Sequence, residues 1–113
     1  MTQTDDKLLW QPSPERVASS PLAEFASRYG PYAGQTSFDY GILHRWSIEQ
    51  PESFWKSVWE FGGVIGEPGD TVFEPSADMR AARFFPDATL NFAENLLRRS
   101  DSGEAIIALG EDG

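Results

Sequence analysis

Apolar positions along this chain gather into short blocks, each closed by Pro or Gly. Leu22, Phe25, Ala26 and Tyr29 recur at helical spacing behind Ser20-Pro21, an N-cap residue with Pro at the first helical position, and Gly30-Pro31 stops the run. The spacing predicts a helix over about 21–29 whose single apolar stripe needs a partner surface. Ser13-Pro14-Glu15 carries the same start signal with an acid in the first turn, but Pro21 cuts it short, which predicts only a short turn from Pro14. After a loop over 30–37, Ser37 or Asp39 can cap an element with Tyr40, Leu43 and Trp46 on one face. Ser47–Gln50 interrupts that element and Pro51 restarts it, so a broken helical pair is expected across about 39–62. In its second half Phe54, Trp55, Val58 and Trp59 form one wide apolar stripe, ended by Gly62-Gly63.

Beyond the pair, Gly66-Glu67-Pro68-Gly69-Asp70 is turn chemistry, and Thr71-Val72-Phe73 and Arg83-Phe84-Phe85 read as short strands near 71–73 and 83–85. Pro86-Asp87 turns into a helix at about 91–99, where Asn91 and Glu94 can form a capping-box-like pair. Leu90, Phe92, Ala93, Leu96 and Leu97 supply its apolar side, and Arg98-Arg99 suit its C-terminal end. Ala105-Ile106-Ile107-Ala108-Leu109 reads as a strand entering a hairpin turn at Gly110-Glu111-Asp112-Gly113. No second strand follows, so the chain is expected to be cut within a β-hairpin, with its chemistry downstream of residue 113. Residues 1–9 read as a flexible leader, and Trp10-Gln11-Pro12 as an apolar anchor with a rigid turn. The expected fold class is α+β, mainly helical, with a few short strands and at least twofold more helix than strand. Phe54, Trp55, Val58, Trp59 and Leu96 are expected to pack loosely on one another or against residues beyond 113.

Composition narrows the classes. An apolar fraction of 40%, with four Trp and eight Phe, is not a disordered composition. A net charge of −9 argues against nucleic acid and against an anionic membrane surface as partners. There is no Cys, hence neither a disulfide framework nor thiol chemistry, which fits a reducing compartment. No apolar run reaches 18 residues, and the first twenty residues lack the core of a signal peptide. A soluble cytoplasmic protein is expected.

Candidate chemistry is sparse. No glycine-rich phosphate cradle is encoded, and Gly62-Gly63 and Gly66 lie near a helix C-terminus, whose dipole has the wrong sign for an anion. His44 is the only His and has no Cys or second His with which to bind zinc, nor a nearby nucleophile to activate. Glu49, Glu52 and Glu60 read as a solvated face, since acid–base work needs two carboxylates converging on a cleft. Arg80, Arg83, Arg98 and Arg99 could converge on an anionic partner or on acids of a neighbouring domain, or merely pair at the surface. The Trp46, Trp55, Trp59 stripe reads as core or domain-interface packing. No catalytic, cofactor-binding or metal-binding residue is assigned within these 113 positions.

Residue-level resemblance goes further than pattern. Leu43-His44-Arg45-Trp46-Ser47-Ile48-Glu49-Gln50-Pro51-Glu52-Ser53-Phe54-Trp55 resembles the aromatic helical segment that opens acetyl-CoA-synthetase-type enzymes. Phe84-Phe85-Pro86-Asp87-Ala88-Thr89-Leu90-Asn91-Phe92-Ala93-Glu94-Asn95-Leu96-Leu97 is similar to the second hallmark of that region. With Leu9-Trp10-Gln11-Pro12-Ser13 in front, the set is most similar to acetoacetyl-CoA synthetases; the resemblance covers nearly the whole chain from Leu9 onward, and residues 10–113 are expected to form the N-terminal region of that type. It implies the N-terminal region of a larger multidomain α/β adenylate-forming enzyme. Such a parent uses ATP, magnesium and CoA to make acetoacetyl-CoA from acetoacetate through an acyl-adenylate; acetate or propionate are the alternative acids. It further implies that this segment is structural and inactive alone, its partner being the nucleotide-binding domain of its own chain. A non-catalytic helical interaction module is the reading from a different class.

Overall fold

The computed structural model describes residues 7–35 and 37–111. Residues 1–6 of the expected leader, and Asp112 and Gly113 of the expected hairpin turn, lie outside the described residues. The molecule is about 43% helical, with one two-stranded sheet.

Five helices follow the start signals of the sequence. Helix α1, Pro14–Ala18, and helix α2, Pro21–Arg28, each place Pro in the first turn behind a serine whose hydroxyl accepts a backbone N–H, Ser13 from Arg16 and Ser20 from Ala23. The turn expected at Pro14 is therefore a short helix. The expected loop after α2 begins as a 3₁₀ turn over Gly30–Tyr32. Asp39, not Ser37, caps α3, Tyr40–Glu49, by accepting from the N–H of Ile42. Gln50 breaks the pair and α4 runs Pro51–Phe61. The last helix is shorter than its expected span: α5 covers only Phe92–Leu96, with Asn91 accepting from the N–H of Glu94, so half of the capping box forms.

The core lies among α2, α3 and α4. Phe25, Ala26, Tyr32, Leu43 and Trp46 are buried, with Tyr29, Phe38, Phe54, Val58 and Phe61 half-buried around them. Phe25 is the hub: its ring lies 5.4 Å from Tyr29, 6.2 Å from Trp46, 5.8 Å from Phe54 and 5.3 Å from Phe61. Gly30 makes this possible. Its φ is +67°, and a Cβ there would stand 2.6 Å from the Trp46 ring. The Tyr32 hydroxyl closes the α2–α3 connection by accepting from the N–H of Asp39 and donating to its carbonyl.

The wide stripe of α4 divides between two partners. Phe54, Val58 and Phe61 face the core, whereas Trp55 and Trp59 face a hairpin made of β1, Phe73–Glu74, and β2, Arg83–Phe84. The hairpin is antiparallel, pairing Phe73 with Phe84 and Glu74 with Arg83, and the second pair adds an ion pair at 3.2 Å. Trp55 meets the Phe84 ring at 5.2 Å and Trp59 meets Phe85 at 4.8 Å. Phe85 sits at φ +46°, a left-handed conformation unusual for an aromatic residue, held by its N–H on the Val72 carbonyl and by Ala88 donating back to its own carbonyl. A 3₁₀ turn over Met79–Ala81, capped by Asp78, fills the hairpin connection and was not expected from the pattern.

Two expectations fail. Residues 105–109 form no strand: with no neighbouring chain to bond to among the described residues, Ile106, Ile107 and Leu109 stand exposed. Trp10, expected to anchor the leader, is 69% exposed.

Candidate functional site

Aromatic packing on both sides of α4 leaves two apolar grooves. The first, about 400 Å³, lies between α2, α3 and α4 and is lined by Leu22, Phe25, Leu43, Phe54 and Phe61, with His44 and Ser47 as polar neighbours. Its chemistry is that of an apolar contact surface. Ser47 is already committed, donating to the His44 carbonyl at 2.6 Å, and the exposed His44 ring stacks on Tyr40 with centroids 6.2 Å apart. The second, about 380 Å³, is lined by Trp55, Val58, Trp59, Val64, Phe84 and Phe85 and carries no titratable group.

The acidic candidates are partly brought together. Glu49 and Glu52 line one wide depression beside Phe73 and Pro75, while Glu60 lines another beside Lys56 and Asp70. The four arginines do not converge. Arg80 pairs with Asp78 at 2.9 Å, Arg83 with Glu74, and Arg99 with Asp101 at 2.7 Å. Arg80 holds the Asp78 carboxyl below its ordinary range, and Arg99 does the same for Asp101; both acids are exposed. Among the described residues no group of three or more His, Cys, Asp or Glu could hold a metal ion, and no helix is long and apolar enough to cross a membrane.

Arg98 has a different task, which sequence reasoning missed. Its guanidinium donates to the carbonyls of Gly62 and Gly63 at 3.2 and 3.1 Å, and to that of Asn95. It therefore caps the C-terminal end of α4 from 35 residues away, where a cation suits the dipole. Asn95 works beside it. Its carboxamide accepts the N–H of Ile65 and donates to the Ile65 carbonyl, both at 2.8 Å, as a neighbouring strand would. Glu67 and Thr89 complete the contact with a pair of backbone hydrogen bonds at 2.9 Å. Gly66 lets the two segments meet: at φ +154°, a Cβ there would lie 2.6 Å from the Thr89 carbonyl oxygen. The only sequence signal was the excess of turn residues over 62–70; the partners of Asn95 and Arg98 are backbone groups and leave no mark.

The comparisons with known proteins bear on this whole arrangement. The family described as "Acetyl-coenzyme A synthetase N-terminus" matches residues 40–96, from the start of α3 to the end of α5. An acetoacetyl-coenzyme A synthetase of Rhizobium meliloti is 47% identical over 95% of this chain, which covers 16% of that protein. A malonamoyl-CoA synthetase of Penicillium aethiopicum is 30% identical over 96% of this chain, again 16% of its length. A solved acetoacetyl-CoA synthetase from Streptomyces lividans is 36% identical and superimposes with a TM-score of 0.65, covering 78% of this chain and 14% of that one. The chain thus spans about one-sixth of the relatives it matches.

Proposed function

The chain belongs to the acetyl-coenzyme A synthetase N-terminus family, and on that premise we propose that it is the structural front of a cytoplasmic acid–CoA ligase acting on acetoacetate. The observation that carries this reading is the 47% identity to an acetoacetyl-coenzyme A synthetase, sustained over 95% of the chain. The parent reaction would join acetoacetate to CoA at the expense of ATP, by way of an acyl-adenylate, with residues 10–113 bracing the nucleotide-binding domain.

The residues present do not fit a nucleotide. Gly62 and Gly63 stand at the C-terminal end of α4, where they offer carbonyls to Arg98 rather than amides to an anion. ATP, magnesium and CoA are therefore assigned to the remainder of the parent. The similarity to a malonamoyl-CoA synthetase supports the view that this segment serves enzymes of differing acid preference.

Two measurements test the reading. A CoA-consumption assay on the parent with acetoacetate, acetate, propionate and malonamate should show acetoacetate preferred; preference for another acid overturns the substrate and leaves the ligase class. Calorimetric titration of residues 1–113 with ATP–magnesium should show no heat of binding, and tight binding would overturn the bracing role.

A further inference from the structure

Helix α5 is amphipathic in the inverted sense. Asn91 caps α5, Asn95 lies within it and Arg98 just past its end, and Asn95 and Arg98 face the body of the molecule through their bonds to Ile65, Gly62 and Gly63. The opposite stripe points away from the body: Phe92 is 74% exposed, Leu96 68% and Leu97 73%. A surface helix of a finished domain does the reverse, burying its apolar stripe. Further along the chain, Ile106, Ile107 and Leu109 are exposed as well.

Surface area measures how much is left uncovered. The chain exposes 9848 Å², whereas a compact monomer of 12.6 kDa exposes about 6,200 Å² by the usual scaling. Its radius of gyration is 19.5 Å, against about 13 Å for a compact chain of this length. Five-sixths of each relative lies outside the matched region, which is ample chain to cover such a face.

We propose that the outward stripe of α5, with Ile106, Ile107 and Leu109, is the surface on which the body of the parent enzyme docks, and that Asn95 and Arg98 are the positioning residues that aim it. The inference rests on the reading of this chain as the front of a longer ligase. Its occupant is an apolar face of the same chain beyond residue 113, not a second copy. The backbone-directed bonds of Asn95 and Arg98 fix the helix without using its apolar side, leaving that side whole for the partner.

A photo-crosslinking amino acid decides the matter in the full-length parent. Benzophenone-bearing phenylalanine is placed at Leu96 or, separately, at Phe92, with Glu24 on the solvent face of α2 as control. The expected result is a crosslink from both α5 positions to a peptide beyond residue 113 of the same chain, with none from Glu24. A band of doubled mass overturns the choice of occupant, and failure of both α5 positions to crosslink in a parent that still consumes CoA overturns the docking surface. Asn95→Ala in the crosslinking parent should cut the yield at least about tenfold by freeing the helix to swing; an unchanged yield would sink the positioning role. The same preparations are assayed with acetoacetate: crosslinking without ligase activity refutes the functional reading while the docking surface stands.

Discussion

Two halves of this molecule are held by different physics. Among the described residues, every buried one lies before residue 62: the core of Phe25, Ala26, Tyr32, Leu43 and Trp46, and Ser57, whose hydroxyl donates to the Ser53 carbonyl. From Gly62 onward no described residue is buried, and the chain is fixed by the contacts of Phe84 and Phe85 with Trp55 and Trp59, by the β1–β2 hairpin, by the Glu67–Thr89 bond pair and by the side chains of Asn95 and Arg98. The first half stores its stability in apolar area, where each large side chain contributes about 1.5–3 kcal/mol. The second combines half-buried aromatic contacts with water-facing hydrogen bonds, each of the latter contributing about 0.5–1.5 kcal/mol net. The second half thus has a defined path without a buried core of its own, and little to resist opening.

The largest effect should come from the hub of the first half. Phe25→Ala removes a ring that touches four others and should cost about 3–5 kcal/mol, read as loss of the helical circular dichroism signal of residues 1–113 on urea titration. If its loss also abolishes hydrogen-exchange protection at Thr89, the two halves are one cooperative unit and the contrast collapses. Gly66→Ala should come next, at about 2–3 kcal/mol, because the added carbon meets the Thr89 carbonyl oxygen and Leu90 at 2.6 Å. Its damage should stay behind Gly62: amide exchange at Glu67 and Thr89 accelerates while that of α2 and α3 is unchanged.

Asn95→Ala is expected to cost about 1–2 kcal/mol, visible as faster exchange of the Ile65 amide. Asn95→Asp should restore the acceptor but not the donor to the Ile65 carbonyl, so it recovers only part of the protection. The smallest effect concerns the exposed Arg99–Asp101 pair. Arg99→Ala should leave the urea midpoint at neutral pH unmoved within error. Because the Asp101 carboxyl is held below its ordinary value when folded, its slight stabilising effect is present above the ordinary aspartate range and fades as pH falls through the depressed value. Titration of Asp101 followed by carbon NMR should move upward in the variant.

Legibility in the sequence follows the same divide. The first half advertises itself through local chemistry: Ser13, Ser20 and Asp39 sit where caps must sit, and Pro51 marks the break between α3 and α4. The expected single stripe of α4 was found, though not that Trp55 and Trp59 leave the core to meet Phe84 and Phe85. In the second half the evidence for structure is non-local. The 105–109 run has strand propensity but no partner among the described residues, and propensity without a partner makes no ladder. The helix expected to 99 ends at Leu96, and the side chain of Arg98, read as a helix-end charge, instead reaches the carbonyl of Asn95 and the far end of α4.

The span of those polar contacts has a consequence for how the chain is made. Asn95 and Arg98 bind backbone groups 30 to 36 positions earlier, whereas the α2–α3 connection is closed by Tyr32 and Asp39 only seven apart. During synthesis the helical half can therefore assemble as soon as α4 has emerged, while the carbonyls of Gly62 and Gly63 stay hydrated until more than thirty further residues have left the ribosome. Closure by the late-arriving arginine is then expected to follow assembly of the core aromatic residues. A translational pause placed after Arg98 would favour that closure, and one placed just before it would prolong the open state.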